Sequence, residues 1–458
     1  MHLKAAIMLV AALANAVLGK NKLIIVGMSG LRHDFVDRPS LDAFQRFINT
    51  GFKATKVKIP MITNSWPSLW TLATGLWPEE HGVIDDIMYD PTINLPFYGG
   101  VTKTDTRWFP YKPIWISAEE DGVKAAVSGW PGSDVKHGTV QATFVHPFIS
   151  KETEEETKRR IDDFCGWMYD QADIGLFLLP EPDNAAHENS LDSDELQNAL
   201  LQNNRLINHL IETLNLNGVD SSSTNIILVG DHGMMEHESS HVTYLSDFGV
   251  SLGDFKWYTS NLFTTGMILP HDGLAESIYE KLSQRNASEY FTAYTAENLP
   301  ERFHIKNHRR ITPIVLVANT GYRIQITRPH TDDSAPVRVV GMHGYDSNEV
   351  EMMTAMLASG PDFKRGKLEE IRSIDIYPLL CSLLKLNTCH GTDATIDVPQ
   401  QMVNGVLMDK RPPKLNYATL NMDSGDSGMS YATVSSALAT YSSICILLIS
   451  FIVLFTVC

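Results

Sequence analysis

Leu23-Ile-Ile-Val-Gly-Met28, running into Ser29-Gly30, and Asn225-Ile-Ile-Leu-Val229, running into Gly230-Asp231-His232-Gly233, decide the fold. Each is a short apolar run without period-two alternation, the mark of a strand buried on both faces. Ile174–Leu179 and Val123–Val127 read as further strands of the same kind. Helical spacing appears at Leu41–Ile48 and Asp194–Leu214. A further helix is predicted over Ser65–Thr74, with Pro67 in its first turn. Glu152–Glu156 followed by Lys158-Arg159-Arg160 has the charge order of an exposed helix start. Strands alternating with helices predict an α/β chain with a central mostly parallel sheet. Such sheets bind ligands beyond the carboxyl ends of their strands, so Ser29 and Asp231 are expected side by side.

Composition narrows the function. With 43% apolar and 20% charged residues, the 458-residue chain is neither wholly disordered nor a multi-spanning membrane protein. Its 37 Lys+Arg against 54 Asp+Glu leave a net charge of −17, which argues against a nucleic acid polymer as partner. A phosphate-bearing substrate would need that field reversed locally by cations or metal. No repeat, low-complexity tract or linker divides the body.

Several polar residues follow the predicted strands with the chemistry of metal ligands. Asp183 and His187 come after Ile174–Leu179, four apart, so that both can converge from one helical turn. Asp231 and His232 follow Asn225–Val229, and His343 sits in Gly341-Met-His-Gly-Tyr-Asp346, where glycines permit close backbone approach. Oxygen and nitrogen ligands without thiolates suit zinc in a hydrolytic site.

Further landmarks lie in order along the body: Thr74-Gly-Leu-Trp-Pro-Glu-Glu-His-Gly82, Asp86-Ile-Met-Tyr-Asp-Pro91, Pro113-Ile-Trp115, Trp130-Pro-Gly-Ser-Asp-Val135 and Glu181-Pro-Asp183. With Asp231-His-Gly-Met234 and the His343 motif, they make the chain resemble the ectonucleotide pyrophosphatase/phosphodiesterase family of the alkaline phosphatase superfamily, over residues 22–395. The resemblance implies an alkaline-phosphatase-like three-layer fold and a single catalytic domain. It also implies two zinc ions, Asp183, His187 and His343 holding the first, Asp231 and His232 belonging to the second. Ser65 takes the place of the family's threonine nucleophile, at a helix N-terminus where dipole and metal stabilise an alkoxide.

The chain departs from the family pattern where an aspartate ligand of the second zinc is expected: here Ser29 follows the first strand. Ser68 stands at the position read as the oxyanion donor, and Leu178 at that read as a base-stacking tyrosine, while Trp66 keeps an aromatic beside the nucleophile. Asp34 or Asp37 swinging in for the missing aspartate is disfavoured by their distance beyond the strand end. His81, Trp70, Trp115 and Trp130 read as structural, His237 and His241 as loop histidines. The expected function is a cell-surface zinc-dependent phosphodiesterase or pyrophosphatase of reduced activity, acting on a small phosphodiester, a nucleotide or a lipid headgroup. The alternative is a catalytically dead, zinc-containing binding ectodomain.

The termini set the compartment. Residues 1–19 carry Lys4, an apolar run and Ala14-Asn-Ala16, the pattern of a secretory signal peptide. The catalytic domain is expected over 20–400 and a stalk and spacer over 401–433. An apolar tail over 434–458, preceded by Ser424-Gly-Asp-Ser-Gly428, reads as a GPI signal, with a transmembrane anchor as the alternative. If the tail is removed, Cys445 and Cys458 leave with it. Cys165, Cys381 and Cys389 then permit one disulfide of unspecified pairing. Asn286-Ala-Ser288 is the one glycosylation sequon, expected on an exposed loop.

Overall fold

The computed structural model describes residues 21–100, 105–259, 264–328 and 337–414. The signal-peptide and apolar-tail readings lie outside these residues. Among the described residues, no helix is long and apolar enough to cross a membrane.

Eight strands form the central sheet: β1 (Lys22–Met28), β2 (Phe52–Lys58), β3 (Ala125–Ser128), β4 (Phe144–His146), β5 (Ile174–Leu179), β6 (Thr224–Gly230), β7 (Thr354–Ser359) and β8 (Gly366–Arg372). Their order is β8-β2-β7-β6-β1-β5-β3-β4. All run parallel except β7, which is antiparallel to both neighbours. Strands β5, β1 and β6, read from sequence as buried runs, lie adjacent, with Met28 opposite Leu179 on one side and Gly230 on the other.

Alternate residues of β1 enter opposite layers, which is why its apolar run is continuous. Leu23 and Ile25 pack with Trp70 and Trp115 on one face. Ile24, Val26 and Met28 pack with Phe44, Phe164 and Leu210 on the other. Helices α1 (Asp42–Thr50), α3 (Glu154–Asp170) and α5 (Asp194–Leu216) supply the second layer, and α2 (Ser65–Thr74) lies in the first. The three-layer reading therefore holds. Thr153 caps α3 in a reciprocal box with Glu156, so the acidic run is a helix start as expected. A separate four-stranded antiparallel sheet, Phe255–Tyr258, Thr265–Pro270, Phe291–Thr295 and Ile314–Ala318, has its own core.

Some expectations are corrected. The body does not stop at residue 400: Met402 and Val403 are buried, and Phe363 bridges Val403, so the expected stalk begins with packed chain. His237 is no loop histidine; it is buried on the strand Met235–Glu238 with its Nδ1 on the Gly321 carbonyl. Cys381 pairs with Cys389, leaving Cys165 buried and reduced, its thiol pushed up to about 12 by burial. His81 is buried against Thr71, and Trp70, Trp115 and Trp130 are core residues, as expected. Asn286 lies in an exposed turn.

Candidate functional site

The site forms where β5, β1 and β6 end. Ser29 leaves β1, Asp231 leaves β6, and α4 (Asp183–Glu188) follows β5 and carries Asp183 and His187 on successive turns. Gly30 has φ +71, and a Cβ there would lie 2.9 Å from the Asp183 Cα, so only glycine lets the β1 loop meet α4 this closely. His343 comes from the loop after the strand Val339–Met342; the neighbouring Gly344 lies against Thr264, where a Cβ would have no room.

All five expected ligands converge. His343 Nε2 is 3.2 Å from His187 Nε2 and 3.6 Å from Asp183 Oδ1, and His187 Nε2 is 3.4 Å from the same oxygen. Ligands 2.0–2.1 Å from a tetrahedral zinc stand about 3.3 Å apart, so these spacings fit one zinc. The hydrogen bonds agree. His187 Nδ1 donates to the Gly341 carbonyl, His343 Nδ1 to Thr63 O and Asn64 Oδ1, and His232 Nδ1 to Gly233 O. Each ring thus turns a bare Nε2 inward, as metal-binding histidines do. Asp183 Oδ1, buried at their centre, has no hydrogen-bond donor among the described residues. Bare nitrogens around an unsatisfied carboxylate oxygen repel one another unless a cation joins them.

Electrostatics follow the same pattern. Burial pushes the Asp183 carboxyl up, but His187, His343 and His232 outweigh it and hold the group well below the usual carboxylate range. Burial lowers His187, and Asp183 more than restores it, leaving a net rise. Burial, with His232 beside it, holds His343 well below the usual histidine value.

The second set is different. Asp231 Oδ1 accepts from the Gly30 and His232 amides, and Ser29 donates to Oδ2 at 3.0 Å. The chain itself satisfies this carboxylate. His232 Nε2 lies 3.5 Å from Asp231 and 3.8 Å from Asp183, so the two expected ligand sets share one cluster. Asp183, His232 and His343 also present ligand atoms within 4.8 Å of one another. Ser65, the first residue of α2, places its Oγ 3.2 Å from His232 Nε2 and 3.3 Å from Ser29 Oγ.

Three expectations for substrate contacts fail. Ser68 is fully buried one turn into α2, with no partner for its Oγ among the described residues, so it does not open onto the site. Trp66 is 3% exposed and packed among Phe97, Phe109 and Phe148, so its ring is not open to a stacking base. Leu178 is a core residue of β5 against Gly27, so no stacking position is lost there. Asp34 is tied to Arg32 and Asp37 to Lys53, so neither substitutes for the missing aspartate.

Sequence reasoning gave no site role to Asn64, Asp85 or Asp86, the last named only as part of a family landmark. Asn64 Nδ2 donates to Asp85 Oδ1, and the Trp66 amide donates to Asp86 Oδ1. Burial, then the neighbouring Asp86, pushes the Asp85 carboxyl well up. The available signal was an acidic pair directly after the apolar Val83-Ile84.

Comparison with known proteins agrees with this geometry. Residues 23–346 match the family model for type I phosphodiesterase/nucleotide pyrophosphatase. The chain belongs to that family. It is 30% identical over 373 residues to human bis(5'-adenosyl)-triphosphatase ENPP4, covering 80% of this chain and 78% of the relative. It is 29% identical over 387 residues to human ectonucleotide pyrophosphatase/phosphodiesterase family member 7, covering 80% of each. The solved structure of murine ENPP5, an inactive threonine-to-alanine form in complex with AMP, superposes with a TM-score of 0.77 at 28% identity, covering 84% of this chain and all of that one. The fold is therefore the alkaline-phosphatase-like one, and the family supports a phosphodiesterase/pyrophosphatase-type hydrolase.

Proposed function

We propose that the chain is a cell-surface, zinc-dependent phosphodiesterase of reduced activity that acts on a nucleotide or other small phosphodiester through Ser65. The observation that carries this reading is the Ser65 hydroxyl at the first turn of α2, 3.2 Å from a bare His232 Nε2 and beside the Asp183, His187 and His343 cluster. Those three residues would hold zinc, which when bound supplies Lewis acidity toward a phosphoryl oxygen. Ser29 donates its hydroxyl hydrogen bond to Asp231 and keeps its proton, so the Ser65 proton is free to go to His232 Nε2. As the Ser65 Oγ–P bond forms, the bond from phosphorus to the leaving oxygen breaks, and that oxygen takes up a proton. Water then hydrolyses the Ser65 phosphoester.

Two features support reduced activity. Ser29 provides a neutral hydroxyl where the family pattern expects a carboxylate. Asp86 places a carboxylate on the Trp66 amide, at the helix end whose dipole favours a phosphate. The same two features favour the second reading, a zinc-containing ectodomain that binds without turnover. The adenosyl substrate in the name of ENPP4 and the AMP in the ENPP5 structure support a nucleotide. The "ecto" in the relatives' names supports an extracellular location. On that reading Asn286 carries a glycan and the 434–458 tail is a GPI signal, with a transmembrane anchor as the alternative.

The deciding experiment measures zinc content and hydrolysis of a nitrophenyl phosphodiester by the full-length protein and by Ser65→Ala. Hydrolysis that disappears in Ser65→Ala supports the enzyme. Bound zinc without hydrolysis establishes the binding ectodomain. Release from membranes by phosphatidylinositol-specific phospholipase C tests the anchor.

A further inference from the structure

Asn64 occupies the N-cap position of α2, where an asparagine normally turns its oxygen onto the helix amides. It makes no such bond. Asp86 takes the Trp66 amide instead, and the Asn64 side chain, almost wholly buried, points the other way. Its Nδ2 donates to Asp85 Oδ1 at 2.7 Å, and its Oδ1 accepts from His343 Nδ1 at 2.9 Å. Asp85 Oδ1 also accepts from the Asp86 amide at 2.7 Å, which fixes that oxygen in place.

The amide's orientation follows from its partners. An acceptor at Asp85 draws the NH₂ end, so the oxygen end must face His343. His343 Nδ1 must then carry the proton, and Nε2 is left bare toward His187 and Asp183. The Thr63 carbonyl, 3.0 Å from the same Nδ1, already selects this tautomer. Asn64 adds a second acceptor that holds the plane of the ring and raises the basicity of Nε2. The geometry points to Asp85 and Asn64 as positioning residues that hold the His343 imidazole for metal binding through an Asp85–Asn64–His343 hydrogen-bond chain. This inference rests on the zinc reading above. Because Asn64 directly precedes Ser65, one residue joins the ligand's orientation to the start of the nucleophile's helix.

The test is zinc affinity of the full-length protein, measured by competition with a chromophoric chelator at fixed pH. Asn64→Leu, similar in size but without hydrogen bonds, is expected to bind zinc ~10-fold more weakly, the low end for such partners because Thr63 remains. Asp85→Asn keeps an oxygen that can accept from both Asn64 Nδ2 and the Asp86 amide, whereas Asp85→Leu removes it. Asp85→Asn is expected to keep most of the wild-type affinity and Asp85→Leu to weaken it as Asn64→Leu does, a difference that a merely space-filling role would not produce. Should Asn64→Leu fail to fold, Asn64→Ala takes its place in the same titration. Folded Asn64 variants with wild-type zinc affinity, or a folded Asp85→Leu that binds zinc as tightly as Asp85→Asn, would overturn the chain. A wild-type protein that binds no zinc would instead remove the metal reading on which it rests.

Discussion

The Ser29 hydroxyl donates to Asp231 across 3.0 Å, joining the ends of β1 and β6 at the floor of the site. This one bond separates the two ligand sets. Asp231 has a donor from side chain or backbone on each oxygen, whereas Asp183 Oδ1 has none among the described residues. A carboxylate already satisfied by the chain gains less from a cation than a buried one that is not.

The first consequence is stoichiometry. Elemental analysis after dialysis is expected to give nearer one zinc than two per chain, held by Asp183, His187 and His343. Two tightly retained zinc ions would show that the Ser29–Asp231 bond yields to metal.

Ser29→Asp is expected to raise both zinc content and phosphodiester hydrolysis, since it returns a carboxylate beside Asp231 and His232. Ser65→Ala in the same chain should abolish the gain in rate while leaving the gain in zinc. An unchanged metal content in Ser29→Asp would mean that the strand end does not reach the second cation.

Ser65→Ala alone should lower kcat by at least ~10³ if the serine is the nucleophile, with zinc content unaltered. A loss of only a few fold would assign Ser65 to binding and leave the attack to water.

Zinc retention should depend on pH through His187. Burial lowers its pKa and Asp183 raises it by more, so the net value lies above the ordinary histidine range. A raised pKa keeps the proton on the imidazole to higher pH, and a protonated imidazole does not ligate. Zinc affinity is therefore expected to fall with decreasing pH, beginning above about 6.5, as read from titrations across that range. Affinity that stays constant down to about pH 5 would contradict the raised value.

The buried Arg310 gives a stability test remote from the metal. Its Nε donates to Asp90 Oδ2 at 2.8 Å, and its other nitrogens hold the carbonyls of Gly82, Arg107 and Trp108. Arg310→Met strands those acceptors and leaves Asp90 with Arg309 as its remaining arginine partner. A loss of about 3 kcal/mol is expected in denaturant unfolding, the low end for breaking a buried pair because Arg309 stays. A loss below about 1 kcal/mol would show that Arg309 and local relaxation compensate.

Four strands of the sheet, β1, β3, β5 and β6, and the helices α1, α2 and α5 were legible because local patterns fix them. Apolar runs such as Ile174–Leu179 and the one within Asn225–Val229 can be satisfied only by burial on both faces, and Pro67 marks the first turn of α2. Asp183, His187, Asp231 and His232 were legible because polar residues after buried strands must gather at one edge of the sheet, and His343 because of the glycines that flank it. What only the tertiary structure decided was direction. The sequence places Trp66 and Ser68 beside Ser65, but a helix turns adjacent residues to different sides, and both face the core. Spacing along the chain likewise carries no record of which donor meets which acceptor. The Ser29–Asp231 bond joins residues 202 apart, and His343 reaches Asn64 over 279. Such pairings arise only when separate strands and loops are brought together by packing, so the ligands were readable in the sequence while the groups that orient and satisfy them were not.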